Sequence, residues 1–380
     1  MFIDTKCRYH AQDHADFCGP AAAMMILAQQ GVNVSTLDQS TMYSILRASS
    51  GSGVATLPAA LVGILNVSFS GRFGLTPGGA ASGAARRVLQ SLLKNVPAAV
   101  PVYEDSHWTV TKAMTTDVDP ASGQPYNILR VWMHNPSPGA GTPPHSSTDV
   151  CGLAGYPGIK EGGYDYREWL SYISLPGELF KYQCVVGTQL VDIPESLAPP
   201  PLPPALPGFD SAGAEDVVQY HLDSEVLERL APSGEIQARS VGLVHSLAEG
   251  IADYYLVAIS DVRGYIGLAC IDAGRPWLRS IGILGSPQEK IFPETEEVVH
   301  SLMDSELPGE SNGALALDLL NTRLKEARLV WRPCQESPVP FTPFLFVPLG
   351  GNLDSESHAF VRFTERPAVF LELTRPLQGG

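Results

Sequence analysis

Apolar residues lie on every side of the helix that the sequence predicts over residues 18–30, CGPAAAMMILAQQ. Alanine, methionine and leucine are good helix formers, and a proline in the first turn loses no needed hydrogen bond. Asp16 is available as the N-cap, and Gly31 favours a stop. Because a helix that is apolar all round has to be buried, we expect it to lie inside a helical lobe.

Three further segments of the first hundred residues predict helices with a core-facing side. They are 32–49, with Ser35 or Thr36 as a possible cap, 51–66, with Thr56 as the cap after a glycine-rich turn, and 83–95, with its basic residues outward. The first 95 residues therefore predict a mainly helical lobe.

The pattern changes from residue 98, where apolar positions begin to alternate as they do in strands. Two strands separated by a short turn span 98–117, and a third precedes the Asn135-Pro136 dipeptide. An aromatic helix, YDYREWLSYISL, follows them. A helical lobe followed by an antiparallel β lobe gives an α+β fold.

Residues 195–209 are dense in proline and predict an extended linker. The chain then divides into a first domain over 1–194 and a second domain over 210–380. The second domain predicts helices over 215–230, 294–304 and 313–329, a hairpin around the turn 261–264, and strands near 341–349 and 359–373. It offers no catalytic motif, and we expect an α+β domain that binds a substrate or partner.

Charge and composition exclude several classes of function. The net charge is −15, and residues 195–380 carry 26 of the 40 acidic side chains, so nucleic acid is not an expected partner. Neither a membrane span nor a signal peptide is evident, which favours a cytoplasmic protein. Six scattered cysteines without a CxxC pair favour reduced thiols, with no metal and no cofactor expected.

Four residues together predict thiol acyl transfer. Cys18 lies at the start of the buried helix, where unpaired N–H groups and the helix dipole stabilise a thiolate. His107 begins one strand and Asn135 ends another, so both lie at the rim of the sheet. The histidine would exchange a proton with the thiol and the leaving amine, and the asparagine would fix its tautomer. Gln12, six residues before the cysteine, would donate to the oxyanion.

Other polar residues could compete for these roles. His10 and His14 are expected to be exposed loop residues, while His134 must point to the face of the strand opposite Asn135. Asp105 and Asp117 are fallback orienting groups, more simply interpreted as solvated turn residues. The spacing of three further residues matches no common metal site; these are His145, Asp149 and Cys151.

These residues resemble the papain-like cysteine peptidases, most closely the bacterial peptidases that cut bacteriocin leaders after a double glycine. The matching features, over about residues 6–190, are Gln12, the run Cys18-Gly19-Pro20-Ala21, the segment TLPAALVGILN, His107-Trp108 and Asn135-Pro136. The resemblance implies a papain-like two-lobed fold for the first domain and hydrolysis of a peptide or protein, with a leader peptide or double-glycine site as one substrate.

One departure and two alternatives remain. The double-glycine peptidases usually have aspartate where this chain has Asn135, whereas asparagine resembles papain itself, so the specificity stays open. The first alternative is another Cys-His acyl transferase, of transglutaminase-like or arylamine acetyltransferase-like type, which would not place a glutamine six residues before the nucleophile. The second is a catalytically silent binding protein on a peptidase scaffold.

Overall fold

Helices and strands occur in both of the units into which the chain divides. The first unit comprises Met1–Leu202 and Arg279–Gly285, and the second comprises Pro203–Leu278 and Ser286–Arg375. Both units of the computed structural model mix the two element types, so α+β is confirmed as the class. The structure describes residues 1–13, 17–50, 56–102, 107–136, 159–174, 182–305, 322–332, 334, 337, 340–348, 358–363 and 367–373.

Among the described residues of Met1–Leu202, the first unit contains five α-helices and seven strands. Residues Arg279–Gly285, which are part of a later strand, also belong to this unit. The helices are α1 Cys18–Gln29, α2 Gln39–Ser50, α3 Pro58–Ser68, α4 Ala81–Leu93 and α5 Tyr166–Ser174. The strands are β1 Phe2–Asp4, β2 Phe73–Leu75, β3 Ala98–Val102, β4 His107–Thr116, β5 Ile128–His134, β6 Ile159–Asp165 and β7 Val185–Gly187.

Helix α1 is the centre of the helical layer, as its sequence predicts. Every residue from Cys18 to Leu27 is buried, and the helix packs with α2 and α3 against β3 and β4. Gly31 follows with φ +89°, a left-handed conformation that suits glycine and ends the helix. The position of Cys18 is therefore fixed by the core of the unit.

Two predicted helix caps are wrong. Ser35 and Thr36 lie inside a 3₁₀ turn, Val34–Thr36, and the backbone N–H of Thr41 in α2 instead donates to the side chain of Asp38. The N-cap of α3 is Leu57, which has no capping side chain, while Thr56 is buried beside α1. In both cases tertiary packing overrides the local signal.

The sheet of the first unit is antiparallel, in the order β6-β5-β4-β3-β7-β2. The short strand β1 pairs with residues 113–115, near the C-terminal end of β4. A later strand, β11 Leu278–Gln288, adds to it: within Arg279–Gly285, Ser280 pairs with Tyr164 of β6. The sequence gives no signal for this addition, since β11 follows more than a hundred residues after β6.

Register determines which polar side chains share an edge of this sheet. His107, the first residue of β4, pairs with Val102 of β3, and Val110 pairs with His134, the last residue of β5. Because β4 and β5 are antiparallel, the start of β4 lies beside the end of β5. His107 and Asn135 are thereby brought to one edge.

The second unit has its own sheet and helices. Its strands run in the order β15-β14-β13-β12-β8-β9-β10, antiparallel except for the parallel pair β12 and β8. The strands are β8 Gln237–Ser246, β9 Tyr254–Asp261, β10 Gly264–Asp272, β12 Arg328–Trp331, β13 Phe344–Pro348, β14 His358–Arg362 and β15 Val369–Phe370, and the helices are α6 Ser211–Tyr220, α7 Ser224–Leu230 and α8 Thr295–Met303.

Several predicted elements of this half are found, and others differ. The hairpin around 261–264 joins β9 to β10 as expected, and α8 matches the predicted helix over 294–304. The predicted helix over 215–230 is two helices, with the N-cap Asp223 starting the second. Of the predicted helix over 313–329, residues 313–321 lie outside the described residues, and 328–329 belong to a strand.

Candidate active site

Cys18 is the first residue of α1, and its sulfur accepts a hydrogen bond from a backbone amide. The Trp108 N–H donates to Cys18 Sγ at 3.3 Å. No acidic residue lies in the first turn of the helix, and Phe17 in the N-cap position provides no side-chain cap. Asp16, the predicted cap, lies outside the described residues. A helix N-terminus and an amide donor both favour negative charge on this sulfur.

Gly19 is required by the packing of Thr56 against the start of α1. A Cβ at Gly19 would lie 2.4 Å from Thr56 Oγ1, a distance that no real contact allows. The Trp108 indole Nε1 also donates to the Thr56 carbonyl, at 3.3 Å. Thr56 therefore contacts both Gly19, which follows Cys18, and Trp108, which follows His107.

His107 and Asn135 are hydrogen-bonded to each other at the edge of the sheet. His107 Nε2 lies 2.7 Å from Asn135 Oδ1, and both residues are buried. Because the amide oxygen can only accept, Nε2 carries the proton and Nδ1 of the neutral ring is the basic nitrogen. Burial lowers the pKa of His107 to about 4, and the bond to Asn135 opposes that shift. At neutral pH the imidazole is thus an uncharged base.

Gln12 is buried and its backbone is tied to the residue that follows Asn135. The Gln12 N–H donates to the Pro136 carbonyl at 2.9 Å, and the same carbonyl accepts the Tyr9 hydroxyl at 3.4 Å. The segment before α1 is therefore fastened to the end of β5.

Hydrogen bonds of the four predicted residues, or of their neighbours in the chain, connect the segments on which these residues lie. The Gln12 backbone bonds to the neighbour of Asn135, Asn135 bonds to His107, and the neighbour of His107 bonds to Cys18. The segments that carry residues 12, 18, 107 and 135 thus adjoin one another where α1 begins and where β4 and β5 have their neighbouring ends. A thiol, a base and an orienting amide in one place are the components of nucleophilic acyl transfer.

The competing polar residues lie in other surroundings. His134 Nε2 donates to the Cys7 carbonyl at 2.8 Å, and its ring packs edge-on against Tyr9. Asp117 is exposed at the other end of β4 from His107, where hydrogen bonds from Asn127 lower its pKa. Ten residues of strand span about 30 Å, so Asp117 does not orient His107.

The expectation that His10 is exposed is wrong. Only 4% of its surface is accessible, since its neighbours Tyr9 and Ala11 belong to the core of the first unit. Five other residues named as alternatives lie outside the described residues: His14, Asp105, His145, Asp149 and Cys151.

Two other thiols of the first unit differ from Cys18 in their surroundings. Burial raises the pKa of Cys7 to about 12 and that of Cys184 to about 12. The Cys7 thiol donates weakly to the Met25 carbonyl at 3.5 Å. Both thiols remain protonated at neutral pH and are weak nucleophiles.

The described part of the chain holds no cluster of three histidine, cysteine or acidic side chains suited to a metal ion. Within the same residues, no helix has the length and apolarity needed to span a bilayer.

A scan against protein-family models finds no match to this chain. Searches of curated proteins and of solved structures likewise find none. The interpretation of the site therefore depends on its own geometry and chemistry.

Sequence reasoning missed three parts of this site. The sequence pattern predicts Thr56 as a helix cap, gives Pro136 only as part of the Asn135-Pro136 dipeptide with no contact to Gln12, and does not single out Gln39. Gln39 and the backbone that it contacts are separated by 26 and 28 residues, so no local pattern in the sequence connects them.

Proposed function

We propose that the first unit is a papain-like cysteine peptidase in which Cys18 is the nucleophile. The observation that carries this proposal is the 2.7 Å bond between His107 Nε2 and Asn135 Oδ1, one residue away from the amide that donates to Cys18 Sγ. That bond leaves Nδ1 as the basic nitrogen, which is the tautomer that a thiol nucleophile needs. In this proposal, helices α1 to α3, which pack together against β3 and β4, would form one lobe of such a fold and the antiparallel sheet would form the other.

The first step is activation of the thiol. A neutral His107 takes the proton of Cys18, and the resulting imidazolium and thiolate stabilise each other. The N-terminus of α1 and the Trp108 amide stabilise the anion further. Because Cys18 is fully buried and His107 is 6% exposed, little water competes with these interactions.

Acyl transfer then proceeds through a tetrahedral intermediate. The sulfur forms a bond to the carbonyl carbon of the scissile peptide, and the carbonyl π electrons move to oxygen. Gln12 and the backbone N–H of Cys18 stabilise that oxyanion, and one such donor contributes about 2.7 to 4 kcal/mol. When the intermediate collapses, the C–N bond breaks and His107 protonates the leaving amine. Water then hydrolyses the thioester, giving up a proton to His107 and regenerating the thiol.

The substrate class is a peptide or protein segment. A leader peptide or a double-glycine site is one form of it, but Asn135 in place of aspartate does not favour that specificity over others. The second unit, which carries much of the negative charge, is the candidate for binding the rest of the substrate or a partner.

Cleavage of a complex peptide mixture tests the function directly. We expect the full-length protein to generate new peptide termini, detected by mass spectrometry, that are absent with Cys18→Ala. Cys184→Ala is the matched control, since it removes a buried thiol of the same unit and should leave the cleavage pattern unchanged. Identical sets of termini from the wild type and Cys18→Ala would refute the proposal.

Replacing Asn135 tests the orienting role. Asn135→Ala should lower the rate of Cys18-dependent turnover about 10- to 100-fold, because the imidazole loses its fixed orientation. Asn127→Ala, at the other end of the sheet, is the control and should have no effect. Turnover as a function of pH is the measurement.

Asn135→Asp should retain activity and alter its pH dependence. Since burial lowers the pKa of His107 to about 4, wild-type activity should fall as the pH drops through that value and the base becomes protonated. A carboxylate beside the ring favours the imidazolium, so the acid limb should move to higher pH. An unchanged acid limb would contradict the proposed contact in the active protein.

A further inference from the structure

Gln39 brackets the residue proposed for the oxyanion site. Its side-chain Nε2 donates to the carbonyl of Ala11 at 2.7 Å, and its Oε1 accepts the N–H of Asp13 at 3.1 Å. Gln39 exposes none of its surface. A single buried amide therefore bonds to the backbone immediately before and immediately after Gln12.

The backbone of Gln12 is fixed by a third bond. Its own N–H donates to the Pro136 carbonyl at 2.9 Å. Three backbone groups in sequence are thus held by partners from two other parts of the unit, α2 and the end of β5. This arrangement restricts the φ and ψ angles that determine where the Gln12 side chain can reach.

The start of α2 is itself anchored, which makes Gln39 a rigid support. The Asp38 carboxylate accepts bonds from the N–H and the hydroxyl of Thr41, each at 2.7 Å. One turn later, the Tyr43 ring packs against Phe17 with the centroids 4.6 Å apart. Phe17 directly precedes Cys18, so α2 contacts the chain on both sides of the proposed oxyanion site.

We propose that Gln39 is a positioning residue that fixes the Gln12 segment for stabilisation of the oxyanion. The inference rests on the proposed peptidase function. A glutamine amide suits the role because it donates to a carbonyl and accepts from an N–H at once, as a peptide group does. Methionine has a similar length and fills the space without either bond.

Two chemical reactions of Cys18 distinguish an effect on the oxyanion site from a general loss of Cys18 reactivity. With p-nitrophenyl acetate, the sulfur bonds to the carbonyl carbon, an oxyanion forms, and its collapse expels p-nitrophenolate to leave an acetyl thioester that water hydrolyses to acetic acid. With iodoacetamide, the sulfur displaces iodide from carbon and no oxyanion forms. A residue that acts through the oxyanion site affects the first reaction and spares the second.

Gln39→Met in the full-length protein should therefore lower the rate of p-nitrophenolate release about 10- to 100-fold, while Cys18 alkylation stays within about twofold of wild type. Gln90→Met is the matched control. It removes a buried glutamine whose Nε2 donates to the Val191 carbonyl at 2.7 Å, away from Gln12, and should leave both rates unchanged. If Gln39→Met does not fold, Gln39→Asn is the second variant, because its side chain is too short to reach both partners. It should also slow p-nitrophenolate release and leave the rate of Cys18 alkylation unchanged.

The double variant decides whether Gln39 acts through Gln12. Gln12→Ala should slow acylation about 10²- to 10³-fold, and adding Gln39→Met to it should change the rate by less than about twofold. Three results would each overturn the inference. They are an acylation rate of Gln39→Met equal to that of the wild type, an equal loss in the rates of acylation and alkylation, and additive effects of the two substitutions in the double variant. Equal p-nitrophenolate release by the wild type and Cys18→Ala would instead refute the peptidase function.

Discussion

Arg279→Ala is expected to lower the free energy of unfolding of the first unit by about 3 to 5 kcal/mol. Arg279 lies on β11 and bonds to both carboxylate oxygens of Glu168 on α5, at 2.7 and 3.1 Å. Each side chain is 5% exposed. Truncating the arginine leaves a carboxylate buried without its counter-charge, and that desolvation cost is the source of the effect.

Chemical denaturation with a matched control measures this effect. Arg275→Ala is the control, because the Arg275 side chain is 38% exposed and its Nε lies 4.0 Å from Asp272 Oδ1. This substitution should change the free energy of unfolding by less than about 1 kcal/mol. Replacing both partners, as in Glu168→Gln with Arg279→Met, should recover much of the loss, since no charge then remains buried. Equal effects of the two single arginine variants would contradict the structural role of β11.

The same ion pair determines how the second unit can be tested. A truncation after residue 209 removes Arg279 and the strand that pairs with β6, along with the whole second unit. Loss of activity in such a truncation would thus report destabilisation of the first unit. Variants on the surface of the second unit are the better test of its proposed binding role.

His107→Ala is expected to reduce Cys18-dependent turnover about 10²- to 10⁴-fold, the contribution that a positioned acid and base makes. The loss arises because the thiol has no nearby acceptor for its proton and the leaving amine has no donor. His134→Gln is the control: it replaces a buried histidine of the neighbouring strand with another group that can donate to the Cys7 carbonyl. Turnover by His107→Ala within a fewfold of wild type would contradict the assigned role.

Local signals were sufficient to predict the elements that carry the candidate site. A run of apolar helix formers made α1 recognisable, and the proline after Asn135 marked the end of β5. The antiparallel pairing of β4 and β5 then brings His107 and Asn135 together without further information. Chemistry located at the ends of regular elements can be inferred from sequence for this reason.

Contacts between distant parts of the chain could not be predicted in the same way. Gln39 has no sequence feature that connects it to Ala11 or Asp13, and Arg279 has none that connects it to Glu168. The strand β11 contains Gly282, Gly285 and Pro287, which weaken a strand signal. In β8, partial burial and Gly242 remove the alternation by which a strand is recognised.

Site-resolved alkylation of the cysteines measures the central property of the proposed site. The full-length protein is treated with iodoacetamide between pH 4 and 9, and the label at each cysteine is quantified by mass spectrometry. Cys7 and Cys184, whose pKa values burial raises to about 12, serve as internal references. Access of the reagent to the fully buried Cys18 sulfur is tested at the same time.

We predict rapid and selective labelling of Cys18 near pH 6 that is lost in His107→Ala, because His107, uncharged at that pH, takes the proton of the Cys18 thiol and so generates the reactive thiolate. Uniform slow labelling of Cys18 together with Cys7 and Cys184, unaffected by His107→Ala, would contradict the assignment of Cys18 as the nucleophile.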